Sequence, residues 1–367
     1  MSVETLPRLS VVEASRALDP ELRARAEEME DVRRLPADLA AKMAEAGLFR
    51  MVLPKYLDGL ELPPREIVEA VEVLATANAS AGWCAMIAAT TAMNAAYMEA
   101  SVAKDVYSDP NIITGGVFAP MGRAVVEGDG YRVSGRWQWG SGSANCSWLC
   151  GGCFIKEGDG FRLGPDGSPE NRMMVFPAED AELIDTWHVA GLKGTGSGDI
   201  AVSDIFVPKG RSVALAVDQP VADGALYKFP AFGLLALGVS AVAMGNARGA
   251  LDAIIDLARN KKSQGSQKTL AERQIVQSDI AQLEADWRSA RAYLYDEIDQ
   301  TWAAALSEGE IPVDRRANLR LACTHMTRTG ADICRKTYDI GGGAALFLGN
   351  ELQRRFRDAH AATQHIV

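Results

Sequence analysis

Between residues 21 and 43 the chain is rich in Ala, Glu, Arg and Leu, with apolar positions at helical spacing and few breakers apart from Pro36. Pro54 and the pair Pro63-Pro64 punctuate the path to a second helical stretch over 65–76. A third, over 80–98, is dense in Ala and Met and apolar all round, as an internal helix is. The pattern changes at Pro110. From there to about Val217, Gly and Pro separate the runs ITGGVF, YRVSGRWQW, SWLCGGCFI, RMMVFP and IAVSDIFVP, whose alternation predicts antiparallel strands of a small barrel or sandwich. Gly128-Asp129-Gly130 and Gly158-Asp159-Gly160 offer hairpin turns. After Pro220 helical texture returns over 232–260, 269–306, 313–339 and 351–367, with Gly341-Gly342-Gly343 breaking the chain before the last. This predicts a mostly helical α+β chain of three domains: helical over 1–110, a β-barrel over 111–217 and a helical bundle over 218–367.

Composition narrows the partners. Of 367 residues 48% are hydrophobic, enough for a large core, and the formal net charge of −10 repels phosphate backbones, so nucleic acid is not expected. The longest apolar run, 232–244, is shorter than the roughly 18 residues of a membrane span, and the first residues carry no basic-then-apolar signal, so no membrane is expected. Six cysteines are too sparse for a disulfide scaffold and point to a reduced, cytoplasmic protein.

Cys146, Cys150 and Cys153 have the spacing of an iron–sulfur motif, but they fall in an apparent strand of an all-β region, and buried structural thiols account for them; no metal is expected. The segment Gly194-Thr195-Gly196-Ser197-Gly198-Asp199 lacks the Lys-Ser/Thr ending of a phosphate loop. It is open to two readings, a tight bend or a loop whose N–H groups and hydroxyls approach a ligand. The four histidines, His188, His325, His360 and His365, form no zinc-protease pair, and no serine nucleophile elbow is present. Spacing alone leaves the chemistry undecided.

Four segments taken in order resemble the acyl-CoA dehydrogenase superfamily. They are Pro36-Ala-Asp-Leu with Ala46-Gly-Leu-Phe-Arg50, Gly135-Arg-Trp-Gln-Trp139-Gly-Ser141-Gly142 with Trp148, Trp187-His-Val-Ala-Gly191-Leu-Lys-Gly194-Thr195-Gly196-Ser197, and Gly341-Gly-Gly343 with Arg357-Asp358. The resemblance implies a helical domain, a β-barrel and a four-helix bundle, assembled as a homotetramer. A dehydrogenase of this fold needs a carboxylate base. One usual position holds Ile366, and the other, on the first bundle helix, is empty because no Asp or Glu lies between Asp223 and Asp252.

The ending Arg357-Asp358-Ala-His360-Ala-Ala-Thr-Gln-His365 is similar instead to the flavin-dependent monooxygenases of this fold, the oxygenase components of two-component systems. That branch implies reduced FMN or FAD supplied by a separate NAD(P)H-dependent reductase, O₂ as co-substrate, and oxygenation of a small aromatic or heteroaromatic compound through a C4a-hydroperoxyflavin. The resemblance assigns His365 as acid/base, with an imidazole suited to proton transfer near neutrality, and Ser141 as a hydrogen-bond partner of the flavin. Phe118, Ala119, Trp139, Thr195, Gly196 and Ser197 would complete the flavin site, with Trp139 and Trp187 on strands facing it. A second histidine frequent in the branch is absent from 82–93, so Thr91 or Asn94 would line the substrate beside His365, which leaves indole-like, sulfur or nitrogen oxygenation open. The alternative is an atypical acyl-CoA dehydrogenase with a relocated base.

Overall fold

The computed structural model describes residues 9–215, 217–262, 265–307 and 310–365. The first part is helical: α1 (Val11–Ala24), α2 (Ala26–Asp31), α3 (Ala37–Glu45), α4 (Pro64–Ala77), α5 (Ala79–Thr91) and α6 (Ala100–Tyr107). The helix expected over 21–43 is three helices. α1 starts earlier, at a capping box in which Ser10 Oγ accepts from Glu13 N and Glu13 Oε2 accepts from Ser10 N. The chain then breaks after Asp31, where Arg33 takes a positive φ of 52° just ahead of Pro36. The stretch expected over 80–98 is α5 followed by a 3₁₀ segment, Ala92–Tyr97.

The middle part holds β1 (Thr114–Glu127), β2 (Gly130–Trp137), β3 (Trp148–Glu157), β4 (Gly160–Phe161), β5 (Asn171–Pro177), β6 (Glu182–Ile184), β7 (Asp199–Pro208) and β8 (Ser212–Val213). They form one sheet in the order β6-β7-β2-β1-β3-β5-β8, with β4 on β3. The hairpins at Gly128-Asp129-Gly130 and Gly158-Asp159-Gly160 form as expected. One pairing departs from the antiparallel expectation: β3 runs parallel to β1, because the chain leaves β2, passes the start of β1 and pairs on its other side. The strands wrap around Trp137. A Cβ on Gly122 of β1, Gly135 of β2 or Gly151 of β3 would collide with its indole, so three glycines make room for one large ring. Cys153 belongs to this inner core, whereas Cys150 faces the helical side, so the cysteine spacing does not bring its thiols to one point.

The last part comprises α7 (Ala225–Lys228), α8 (Ala231–Asn260), α9 (Gln274–Leu306), α10 (Val313–Gly341) and α11 (Glu351–Ala362). The final helix is shorter than expected; Ile366 and Val367 lie outside the described residues. α8 corrects the expectation that no segment matches a membrane span. It is long and apolar enough by length and composition, since Ala, Gly and Ser interrupt its large residues without charge, but 89% of its apolar window is buried inside the protein. It is the core helix that the others surround. Its glycines set the approach of its neighbours: a Cβ on Gly245 would strike the Glu72 carbonyl of α4, and one on Gly249 would strike the Arg355 guanidinium of α11.

Arg355 locks these helices together. Its buried guanidinium donates to the carbonyls of Ala75, Thr76 and Ala77, the open C-terminal end of α4, and pairs with Glu351. Asn246 of α8 accepts from the same group and donates to Arg355 O at 2.8 Å. The Arg355→Met substitution keeps much of the volume but strips three helix-end carbonyls and Glu351 of their partner. It is expected to lower unfolding stability by about 2–4 kcal/mol, read as a reduced urea midpoint with unchanged slope.

Candidate active site

Asn78 caps α5, its side chain accepting from Ser80 N and Ala81 N, which fixes the phase of the helix and the direction of Trp83 one turn on. Trp83 Nε1 donates to Ser141 Oγ at 3.0 Å. Ser141 lies in the turn after β2, and that turn is stitched to the segment before β7 by two backbone bonds, Gly140 N to Gly198 O (2.9 Å) and Gly142 N to Thr195 O (2.8 Å). Gly142 takes a φ of 71°, a conformation glycine adopts without strain. The stitching lines up three buried hydroxyls: Ser141 Oγ is 2.6 Å from Ser197 Oγ, and Ser197 Oγ is 2.7 Å from Thr195 Oγ1. Thr195 Oγ1 donates onward to Leu192 O at 2.8 Å, a carbonyl that also accepts from Trp187 Nε1 and Thr195 N.

Leu192 is anchored on its other side by α11. Its N–H donates to Asp358 Oδ1 at 2.6 Å, and Asp358 is 5% exposed. The approach is close because Gly191 has no side chain; a Cβ there would meet the Arg357 carbonyl. Arg357 adds an ion pair to Glu30 of α2 and a bond to Ala190 O. Burial pushes the Asp358 carboxyl up to about 6, against the opposing pull of the Leu192 N–H.

The imidazole of His365, just past α11, meets the Trp83 ring edge-on, with centroids 5.4 Å apart and planes at 80°. Desolvation, then the Arg320 charge, holds its pKa below the ordinary histidine value, so it is neutral at pH 7. His365 and Ser141 therefore flank one indole.

The other expected flavin residues fall nearby or at the rim. Between Val117 and Gly122 the pairing of β1 with β3 slips, so that β1 bulges outward at Phe118 and Ala119; Gly152 opposite has no side chain to block it. Phe118 packs edge-on against Phe232 at the start of α8. The bulge reaches the Ser141 turn through Met121, whose sulfur accepts from Gln138 N. Trp139 is not on a strand: β2 ends at Trp137, and Trp139 is 59% exposed in a left-handed backbone conformation, φ 68°. Such a conformation in a bulky residue is strained and persists where the surroundings impose it. Trp187 also lies off the sheet, half-buried in the irregular segment after β6. Gly196 ends the 3₁₀ turn Lys193–Thr195 with φ 56°.

The two residues expected to line the substrate have their polar atoms engaged elsewhere. Thr91 Oγ1 donates to Ile87 O within its own helix. Asn94 Nδ2 donates to Cys150 Sγ of β3, and Asn94 Oδ1 is buried without a partner. The structure thus points the Asn94 amide toward β3 rather than toward Trp83. The cysteines have thiols pushed up by burial, to about 12 for Cys84, Cys150 and Cys153, which leaves them protonated at neutral pH.

Sequence reading missed Trp83, which sits in a helix apolar on all sides and so has no distinguishing periodicity. It also missed that Asp358 reaches Leu192, a pairing across 166 residues that no local pattern displays. The one available signal was a tryptophan among Ala and Ser, where a large indole with an N–H needs a partner.

Comparison with known proteins agrees over nearly the whole chain. Residues 10–103 match the family model "Acyl-CoA dehydrogenase, N-terminal domain" and residues 237–367 match "Acyl-CoA dehydrogenase, C-terminal domain". The indole-3-acetate monooxygenase of Pseudomonas putida is 31% identical over 94% of this chain and 86% of that protein. The flavin-dependent monooxygenase, oxygenase subunit HsaA, of Rhodococcus jostii is 31% identical over 95% of this chain and 92% of that protein. Among solved structures, the 3-HSA hydroxylase from Rhodococcus sp. RHA1 superposes with a TM-score of 0.88 at 29% identity, covering 98% of this chain and 93% of that one.

Asp358 gives this site a pH signature. Its carboxyl is raised from 3.8 to about 6 on folding, so the native state holds the proton more tightly than the unfolded chain does. The stabilisation from that proton is complete below about pH 3.8 and lost as pH rises through 6. Asp358→Asn keeps an acceptor for Leu192 N–H and removes the titration. The wild-type minus variant stability, measured by urea unfolding from pH 4 to 7, is expected to fall by on the order of 2 kcal/mol across that range.

Proposed function

Because this chain belongs to the acyl-CoA dehydrogenase family, in its branch of flavin-dependent monooxygenase oxygenase components, we propose that it places one oxygen atom of O₂ on a small aromatic or heteroaromatic compound at the Trp83–Ser141–His365 cluster. The observation that carries this reading is a buried, uncharged chain of hydroxyls, reached by a neutral imidazole across one indole. The residues fit a flavin. Ser141 Oγ keeps hydrogen-bonding capacity beyond its two protein partners, Gly140 and Gly142 beside it carry no side chains, and the Phe118–Ala119 bulge reaches the same turn through Met121. Reduced FMN or FAD, delivered by an NAD(P)H-dependent reductase, supplies the electrons that activate O₂.

The protein's own part is binding, orientation and proton handling. Ser141, Ser197 and Thr195 offer hydrogen bonds without charge, so they hold a polar ring edge without drawing in the water that a buried ion would demand. His365, neutral at pH 7, accepts the proton of a phenol or an indole N–H as the ring becomes nucleophilic and returns it afterwards. A dehydrogenase would need a carboxylate in its place. The carboxylate that this chain of bonds reaches is Asp358, whose Oδ1 is already held by Leu192 N–H.

The protein works as a homotetramer in a reducing cytoplasm. Support comes from Leu346, Phe347 and Leu348, consecutive side chains 69–73% exposed between α10 and α11, and from six free cysteines. Light scattering on the eluted peak is expected to give four times the chain mass, and Phe347→Ser combined with Leu348→Ser to shift it toward smaller species.

The test of activity is to mix protein anaerobically with dithionite-reduced FAD or FMN, then admit ¹⁸O₂ with indole-3-acetate or resorcinol. One labelled oxygen is expected in the product, and His365→Ala is expected to lower turnover about 10²-fold or more while leaving flavin binding within twofold. Bleaching of a tightly bound yellow flavin by an acyl-CoA, without reductase or O₂, would overturn the reading in favour of a dehydrogenase.

A further inference from the structure

Behind the Ser141 turn the packing is incomplete. Where α3 and α5 close over the start of β1, a void of about 10 Å³ remains between Ala40, Phe49, Ala88 and Ile113, and Ser141 and Gly142 form part of its wall. That is room for a single molecule of about the size of water. The gap reaches the turn itself, since a Cβ added to Gly142 would meet nothing nearer than Cys84 Sγ at 3.7 Å.

This wall does not suit water. Asn145 Nδ2 donates to Leu35 O at 2.9 Å and Thr114 Oγ1 donates to Ala88 O at 3.5 Å. The thiols of Cys84 and Cys146 donate to the carbonyls of Thr195 and Gly142. These donors are spent within the protein. A buried water needs about two to four polar partners. Ser141 Oγ, already bonded to Trp83 Nε1 and Ser197 Oγ, has capacity for one more. Burial raises both thiols, that of Cys84 to about 12, so neither is charged at neutral pH. The thiolate is the reactive form, so such thiols tolerate an oxidant beside them. A dry, uncharged gap walled by methyl, phenyl and thiol groups suits a small apolar gas.

We propose that this void is a holding site for dioxygen, which reaches the reacting ring from the α5 side of the Ser141 turn, separately from the aromatic compound. The proposal rests on the oxygenase reading above. Dioxygen is apolar and leaves water readily for such surroundings. Ser141 belongs both to the void and to the cluster with Trp83 and His365, so a gas molecule held there is separated from the cluster by one turn of chain. The void is too small for an aromatic ring, so substrate and gas do not compete for it.

Crystals of the flavin-free protein pressurised with krypton, an apolar probe close to dioxygen in size, are expected to show an anomalous peak between Ala88 and Ser141. In solution, the complex with reduced flavin is mixed by stopped flow with buffers of graded O₂ content, which gives the second-order rate of flavin oxidation. Ala88→Val and Ala40→Val each add two carbons to the wall. Each is expected to abolish the krypton peak and to slow the reaction with O₂ about fivefold or more, while the dissociation constant of reduced flavin stays within about twofold. Filling from α5 and from α3 keeps the test standing if one variant overpacks and fails to fold. Cys84→Ala widens the void and is expected to keep the peak and to react at least as fast as the wild type. The proposal is overturned if krypton leaves the wild-type void empty, or if both filled variants react with O₂ at the wild-type rate. Slowing only in proportion to weakened flavin binding also overturns it. Krypton in the void of a protein that oxygenates no substrate defeats the oxygenase reading, and the assignment to dioxygen with it.

Discussion

The bond from Leu192 N–H to the buried Asp358 carboxylate is where the helical bundle takes hold of the β region, and the candidate site depends on that hold. α11 is fastened at three points along its length: Arg355 on the open end of α4, Arg357 on Glu30 and Ala190, and Asp358 on Leu192. Together they tie it to α4, to α2 and to the segment around Gly191, so its position is overdetermined. His365 follows α11 directly, and Leu192 begins the segment that carries Thr195 and Ser197. One short helix therefore places the imidazole on one side of Trp83 and the hydroxyls on the other.

The two buried charges on α11 are treated differently. Arg355 is met by Glu351, three backbone carbonyls and Asn246, a shell dense enough to satisfy a planar fork of donors. Asp358 receives one short backbone bond and sits near Glu30, so burial raises its carboxyl toward neutrality. Removing a charge from water without full compensation is costly, and the Leu192 N–H is what keeps an acceptor in place there at all. The hydroxyls between Leu192 and Trp83 carry no charge and escape that cost. In a low-dielectric setting their bonds reinforce one another, which keeps a buried polar cluster satisfied without water.

Much of the architecture was legible along the chain. The change in texture at Pro110 and again near Pro220 marks where helix gives way to strand and back, because periods of 3.6 and 2 are local properties. The long helix 231–260 and its close neighbours could be read from Ala and Gly, since small residues are what allow such approach. The breaks were harder: the helix expected from 21 to 43 divides at Arg33, whose backbone is held by its tertiary setting and not by its own preference. The parallel pairing of β1 with β3 is likewise a matter of chain crossing, invisible to alternation. In the site, Ser141, Thr195, Ser197 and His365 were identified by resemblance and lie together around Trp83. Trp139 and Trp187 were assigned to strands and lie off them, because β2 ends two residues early and the segment after β6 is irregular. Asn94 was assigned to the substrate and turns toward Cys150, since the helix tightens to 3₁₀ geometry ahead of it. Trp83 escaped notice because periodicity says nothing where every face is apolar.

A motif can name a serine, but whether that serine gives or receives a proton depends on the far end of its hydrogen-bond chain. Here that end is a backbone carbonyl, Leu192 O, which only accepts and carries no titratable proton. Three donors gather on Leu192 O, from Trp187 Nε1, Thr195 N and Thr195 Oγ1, so this one carbonyl ties the hydroxyls to the irregular segment after β6. Leu192 is itself held through its N–H by Asp358. The packing of α11 against the segment at Gly191 thus reaches Ser141 and Trp83 through Leu192, Thr195 and Ser197, without any charge lying between them.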